Sequence, residues 1–335
     1  DIFPRFNATD GKGEIWIDCN STEYSPKNVK FQISVYGRNF KETVYEDIIF
    51  TPSTVAEAGM SDTLNMAAMI ASGRLGKAEE LKLMGGFHRF KQAMEISNPK
   101  IWTPDTPYLY TVVVKMYVDD EIKSVKQRNF GIREFSQDLK SSPKGAFLLN
   151  GKEIKLFGAN TMGFEQQDVF KGDFEQLIDD ILLSKLCNMN FWRVTQRPVQ
   201  EEVYDYCDML GLMIQTDLPL FGVLRINKVN EVLRQATEME RLVRSHPCCI
   251  LDSYINEPFP NASNKPHRMV NREQLMDFFD MADKFVHMEN PDRVTKHVDG
   301  DYDPPSNKLQ DNHCYTMWYN GHGIDTGMLN KGYWI

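Results

Sequence analysis

The stretch Cys249-Ile250-Leu251-Asp252-Ser253-Tyr254-Ile255-Asn256-Glu257-Pro258 constrains this chain more than any other. It runs apolar for several residues, turns polar at Asn256 and Glu257, and breaks at Pro258. A buried parallel strand ends in a loop in this way. In a barrel of alternating strands and helices, active sites lie at the carboxyl ends of the strands, and catalytic side chains come from the strand tips. Glu257 sits at such a tip and is the first catalytic candidate; an Asn-Glu pair after an apolar run also serves as a helix cap.

The alternation that such a strand demands is present on both sides of it. Residues 147–152 read as a small hairpin turning at Asn150-Gly151, and the first barrel strand follows at residues 154–160. A helix over 173–186 carries Phe174, Leu177, Ile178, Ile181, Leu182 and Leu186 on one face. Residues 190–194 then predict a second strand, 202–210 a helix, 212–217 a third strand and 228–245 a long helix leading into the opening stretch as the fourth. An amphipathic helix over 272–288 precedes a fifth strand at 294–298 and a sixth at 310–315. A closed (β/α)8 barrel needs two more, so the barrel reads as truncated at its C-terminal end.

The first 135 residues follow a different period. Residues 14–19 and 29–36 alternate apolar and polar positions, as strands of a two-sheet sandwich do. Residues 51–86 change to helix-favouring runs separated by glycine, which predicts a helical insertion near 52–86 in a sandwich loop. The prolines of Trp102-Thr103-Pro104-Asp105-Thr106-Pro107 fix an extended approach to a long strand at 111–118. Residues 130–135 would be the last sandwich strand, with a linker at about 136–145. The expected organisation is a multi-domain chain, an all-β sandwich over residues 1–140 followed by a (β/α)8 TIM barrel over 141–335.

A formal charge of −9 on 335 residues supplies no basic field, which argues against nucleic acid or an anionic membrane as partner and for a neutral or small polar ligand. No apolar run reaches the roughly 18 residues of a membrane span, and the amino terminus shows no signal-peptide pattern. The six cysteines lack CxxC spacing and read as buried thiols, and the histidines show no metal-ligand spacing. No metal and no cofactor are expected.

Several segments together point further. Asn190-Phe191-Trp192-Arg193, the Arg244-Ser245-His246-Pro247 turn, Asn256-Glu257, the Trp102 to Tyr110 segment and Phe130-Gly131-Ile132-Arg133 resemble glycoside hydrolase family 2, the β-galactosidase, β-glucuronidase and β-mannosidase group. The resemblance implies an immunoglobulin-like sandwich and a retaining glycosidase acting on a β-linked sugar, with Glu257 as general acid/base. It implies that Asn256 binds the sugar 2-hydroxyl, that Tyr315 lies near the nucleophile and that Trp318 stacks on a sugar face. Arg193, ending the second strand, is placed to hold a carboxylate, and Asp217, at the third strand tip, to accept from sugar hydroxyls. The family's nucleophile is a second Glu further along the barrel, yet no Glu follows Glu289. It is therefore expected outside this stretch, and a non-catalytic carbohydrate-binding fragment or pseudoenzyme is the alternative. One departure concerns substrate: Thr195-Gln196-Arg197-Pro198 stands where many β-galactosidases and β-glucuronidases have Ser-His-Tyr-Pro, and Gln196 cannot titrate as histidine does. The expected partner is a carbohydrate, with a homo-oligomer possible.

Overall fold

A computed structural model describes residues 1–21, 28–51, 53–54, 88–140, 145–258 and 269–300. The chain divides into two compact units, residues 1–100 with 108–132, and residues 101–107 with 133–335.

The first unit contains β1 (Ile2–Asn7), β2 (Lys12–Ser21), β3 (Val29–Gly37), β4 (Thr43–Phe50), β5 (Ser53–Thr54), β6 (His88–Ile96), β7 (Tyr110–Val118) and β8 (Glu121–Phe130). They pair antiparallel as two four-stranded sheets, ordered β1-β2-β6-β5 and β4-β3-β7-β8. The two-residue period explains the packing. Val29, Phe31, Ile33 and Val35 of β3 all turn inward and meet Ile15 and Ile17 of β2 in one core. Each such side chain contributes about 1.5–3 kcal/mol when taken out of water.

The second unit opens with a small antiparallel sheet of β9 (Phe135–Asp138), β10 (Ala146–Leu149) and β11 (Lys152–Ile154). Then the parallel part begins: β12 (Gly158–Thr161), α1 (Phe164–Lys171), α2 (Phe174–Leu186), β13 (Phe191–Val194), α3 (Glu201–Leu210), β14 (Met213–Asp217), α4 (Val229–Val243), β15 (Cys249–Asn256), α5 (Arg272–Glu289) and β16 (Val294–Asp299). These five strands form one parallel sheet in sequence order. All eight residues of β15 are buried, as its near-continuous apolar composition requires. Its Tyr254 lies against Phe278 and Phe279 of α5, whose start is fixed by a reciprocal capping pair, Asn271 and Gln274.

Several elements depart from the sequence reading. The last strand of the first unit is β8, and 135–138 pairs instead with 146–149, so part of the expected linker is sheet. Ile154 belongs to the hairpin with β10, which delays the first parallel strand to Gly158. Helix α1 escaped the sequence reading because its pattern is inverted. Phe164 and Phe170 are exposed while Glu165, Gln166 and Asp168 are buried. The expected helical insertion, apart from the strand residues Ser53–Thr54, and the expected sixth strand lie outside the described residues. Among the described residues no helix is long and apolar enough to cross a membrane.

Candidate active site

The carboxyl ends of β13 to β16 bring together the polar side chains that the sequence scatters over a hundred residues. Arg193 projects from β13 and is buried, although a guanidinium in a sheet interior is costly unless paired. Its Nε and Nη2 both donate to Asp217 Oδ2 of β14, at 3.0 and 2.6 Å. Nη2 also donates to Asn256 Oδ1 at 2.8 Å and lies 3.3 Å from Asp299 Oδ2. Three of the residues proposed from sequence, Arg193, Asp217 and Asn256, thus form one hydrogen-bonded set, and Glu257 follows directly in the chain. Tyr315 and Trp318 lie outside the described residues.

The set has members that sequence reasoning missed. Gln215 Nε2 donates to Asp217 Oδ1 at 2.8 Å and to both Asp299 oxygens at 3.2 Å. Lys296 Nζ donates to Asp299 Oδ1 at 2.5 Å, and Ser253 Oγ donates to Asp299 Oδ2. The signal was legible in Val294-Thr295-Lys296-His297-Val298-Asp299, because a lysine inside a buried strand must find a carboxylate close by. Two acids and two cations, all buried, leave the group electrically balanced. For Asp299, burial would raise the pKa, but Lys296 and Arg193 outweigh it and hold the carboxyl below the usual range. Asp217 is shifted the other way, raised by burial and by Asp299 against the pull of Arg193. Asp299 is therefore the firmly ionised member of the pair.

This arrangement fixes the amide of Asn256. A guanidinium only donates, so the atom facing Arg193 must be Oδ1, and Nδ2 is left with no hydrogen-bond partner among the described residues. The backbone of Asn256 is clamped as well. Its N–H donates to Leu220 O at 3.0 Å and its carbonyl accepts from Gly222 N at 2.9 Å. Between those two, Phe221 pairs with Asn256 and is itself 48% exposed.

Glu257 is half-buried and adopts φ 47°, the left-handed region. Its N–H donates to Asp299 O at 2.7 Å. Gln196, just past the tip of β13, has φ 64° and donates its N–H to Asp217 Oδ2 at 3.1 Å. Where the chain leaves β12 and β16 the left-handed residue is a glycine, Gly163 and Gly300. At the tips of β13 and β15 a non-glycine carries the turn, at a cost of about 1–3 kcal/mol each, and such outliers cluster where function holds a side chain in place.

The chain has relatives among known proteins. The profile of glycosyl hydrolases family 2 matches residues 1–133, and that of its TIM barrel domain matches residues 142–326. The chain belongs to glycosyl hydrolase family 2. Among this family 2 chain's relatives, a β-galactosidase of Oenococcus oeni is 26% identical over 240 residues, covering 68% of the chain and 22% of the relative. A β-galactosidase of Thermoanaerobacter pseudethanolicus is 26% identical over 196 residues, covering 57% and 25%. Two solved structures share the fold: a β-glucuronidase of Parabacteroides merdae, with TM-score 0.64 at 18% identity, and β-glucuronidase 3 of Bacteroides uniformis, with TM-score 0.64 at 19%. Each superposes on 89% of the chain, which spans 32% of the solved protein. The chain thus spans about a quarter to a third of these relatives' length. The family resemblance read from Arg193, Asn256-Glu257 and the Trp102 segment is borne out.

A second polar cluster in the same unit has metal-capable composition. Ligand atoms of Asp205, Asp208 and His246 lie within 4.8 Å of one another. Asp208 is already committed, accepting from Cys248 N at 2.9 Å and sharing a 2.6 Å hydrogen bond with His246 Nδ1. Burial alone would depress the pKa of His246, but Asp208 overrides it and the ring is pushed up to about 9. The trio reads as an ion pair that ties α3 to the entrance of β15.

Proposed function

We propose that this family 2 chain contributes the proton-donating half of a β-glycosidase site, acting by double displacement with retention. Glu257 is the general acid/base. As acid it protonates the leaving oxygen while the glycosidic bond breaks, and as base it activates the water that releases the sugar from the enzyme. Asn256 donates through Nδ2 to the 2-hydroxyl, a contact that strengthens as oxocarbenium character develops. The supporting observation is the fixed amide of Asn256, with its donors uncommitted beside a Glu257 whose backbone is held in a costly conformation.

Retention needs a second carboxyl about 5 to 5.5 Å from the first. Asp217 and Asp299 are poor nucleophiles, because both are buried and saturated with donors from Arg193, Gln215, Ser253 and Lys296. The reading therefore puts the nucleophile outside the described residues. It also completes the five parallel strands as an eight-stranded barrel and treats the two-sheet first unit as immunoglobulin-like. Asp217 is reassigned from a sugar contact to the group that holds Arg193. The partner is a carbohydrate, and Gln196 in place of histidine leaves the sugar to be fixed by assay.

The test is Glu257→Gln in the intact protein, measured on a panel of aryl β-galactosides and β-glucuronides. Hydrolysis of substrates with poor leaving groups should fall by orders of magnitude, while activated nitrophenyl glycosides lose far less because their departure needs no proton. Equal loss on both would exclude the acid role. Sugar binding with no turnover of any substrate would favour a pure carbohydrate-binding protein.

A further inference from the structure

We infer that Asp299 is the positioning residue of this site, holding Glu257 and Asn256 in register with each other; the inference rests on the acid/base reading of Glu257. Asp299 ends β16 directly beside Asn256, its Cα partner in β15. Through its backbone it fixes Glu257, whose N–H donates to Asp299 O at 2.7 Å. Through its side chain it fixes Asn256 at one remove, because Oδ2 lies 3.3 Å from the same Arg193 Nη2 that holds Asn256 Oδ1. Asp217 also binds Arg193, but among the described residues it makes no hydrogen bond to the Glu257 backbone. Asp299 is thus tied to the Glu257 backbone directly and to the Asn256 side chain through Arg193.

The donors around its carboxylate show why the residue must be an ionised acid. Lys296 Nζ, Gln215 Nε2, Ser253 Oγ and the Arg193 guanidinium all converge on it. Lys296, three residues back on the same strand, sets the carboxylate's position along β16, and Ser253 sets it against β15. An amide at position 299 would turn one acceptor into a donor facing at least two other donors, Lys296 and Gln215 at Oδ1 or Arg193, Gln215 and Ser253 at Oδ2, and the strand tip would have to rotate to relieve it. Rotation there moves the Asp299 carbonyl, and with it the amide of Glu257.

The experiment compares Asp299→Asn, Ser253→Ala and Glu257→Gln in the intact protein. Each is assayed on phenyl and 4-nitrophenyl β-glycosides of whichever sugar the wild type turns over, with the pH dependence of kcat and the melting temperature recorded. Asp299→Asn should lower kcat on the phenyl glycoside about 100-fold and on the nitrophenyl glycoside less than 10-fold. KM should change little, and the basic limb of the pH profile should move. Ser253→Ala removes a single donor and should show the same leaving-group signature at roughly 3- to 10-fold, so the test survives if Asp299→Asn fails to fold. Equal losses on both substrates, an unmoved pH profile, or wild-type kinetics in Asp299→Asn and Ser253→Ala would overturn the inference while Glu257→Gln still behaves as an acid knockout. If Glu257→Gln itself shows no leaving-group dependence, the acid reading falls and the positioning role falls with it.

Discussion

Asp252 lies in the middle of β15, five residues before Glu257, and its carboxyl group is fully buried with no hydrogen bond to either oxygen among the described residues. Arg293 Nε comes within 3.7 Å, but that guanidinium is spent on Glu240, at 2.7 and 2.9 Å, and on Cys249 O. Burial raises the pKa of Asp252 far above the usual range, Arg293 opposes the shift, and Glu240 adds to it. The folded chain thus holds the Asp252 proton more tightly than the unfolded one. A carboxyl that holds its proton more tightly folded than unfolded loses stability as the unfolded chain ionises. The decline starts near pH 4, the unfolded carboxyl's value, and continues until the folded pKa is reached. Asparagine has the shape of the neutral acid and never ionises when the chain unfolds. Asp252→Asn should therefore match the wild type near pH 4 and exceed it at pH 7. The gain follows from linkage, at about 1.4 kcal/mol per pH unit between the unfolded carboxyl's value and the folded one, so it is bounded at pH 7 by about 4 kcal/mol. An ionised Asp252 stabilised by Arg293 makes the opposite forecast, a loss of about 3–5 kcal/mol for breaking a buried pair. The sign decides between them. Denaturant titrations at several pH values, followed through Trp102 and Trp192, report on the second unit, where both indoles are buried. A destabilised Asp252→Asn at pH 7, or a difference from wild type that does not change between pH 4 and 7, would refute the reasoning.

Two further outcomes follow from the same unit. His246 has a folded-state pKa raised to about 9 through Asp208, so its contribution is fully present below about pH 6.5 and is lost as pH rises through 9. His246→Gln should flatten that decline, worth up to about 3 kcal/mol, and an unchanged slope in urea titrations between pH 6 and 9 would contradict it. At Gln196, with φ 64° and its backbone N–H carrying the bond to Asp217, Gln196→Gly should leave stability unchanged or raise it by about 1 kcal/mol. A melting-temperature drop of several degrees would show that the side chain itself bears load.

The parts of this chain that could be read from sequence are those where one physical demand dominates. The apolar runs of β13, β14 and β15 have no other use than burial between helices, and the period of two in β3 has none other than a half-covered sheet. Helix α1 defeats that logic because it exposes Phe164 and Phe170 and buries Glu165, whose Oε2 has no partner among the described residues. A reader of periodicity places the apolar side inward and finds no helix. The site divides along the same line. Arg193, Asp217 and Asn256, which the structure joins in one hydrogen-bonded set with Glu257 next in the chain, could be picked out as candidates because each stands at the end of an apolar run, where a polar residue needs a reason. Asp299 was lost by a single residue, since a strand stopped at Val298 leaves the acid in a loop.

That one residue changes the account of the site. With β16 ended at Val298, Glu257 is a carboxylate on a free loop, and nothing says why it should be held at φ 47°. With Asp299 on the strand, the left-handed turn becomes the geometry that lets Glu257 N–H reach a neighbouring carbonyl at 2.7 Å while Asn256 stays on Arg193. A glycine at 257 would make the turn at lower cost, as at Gly163 and Gly300, and would carry no acid. The chain instead keeps a glutamate in the left-handed region, next in sequence to an Asn256 that is held by a buried group of two acids and two cations. A pre-organised proton donor, as proposed for Glu257, would account for both features.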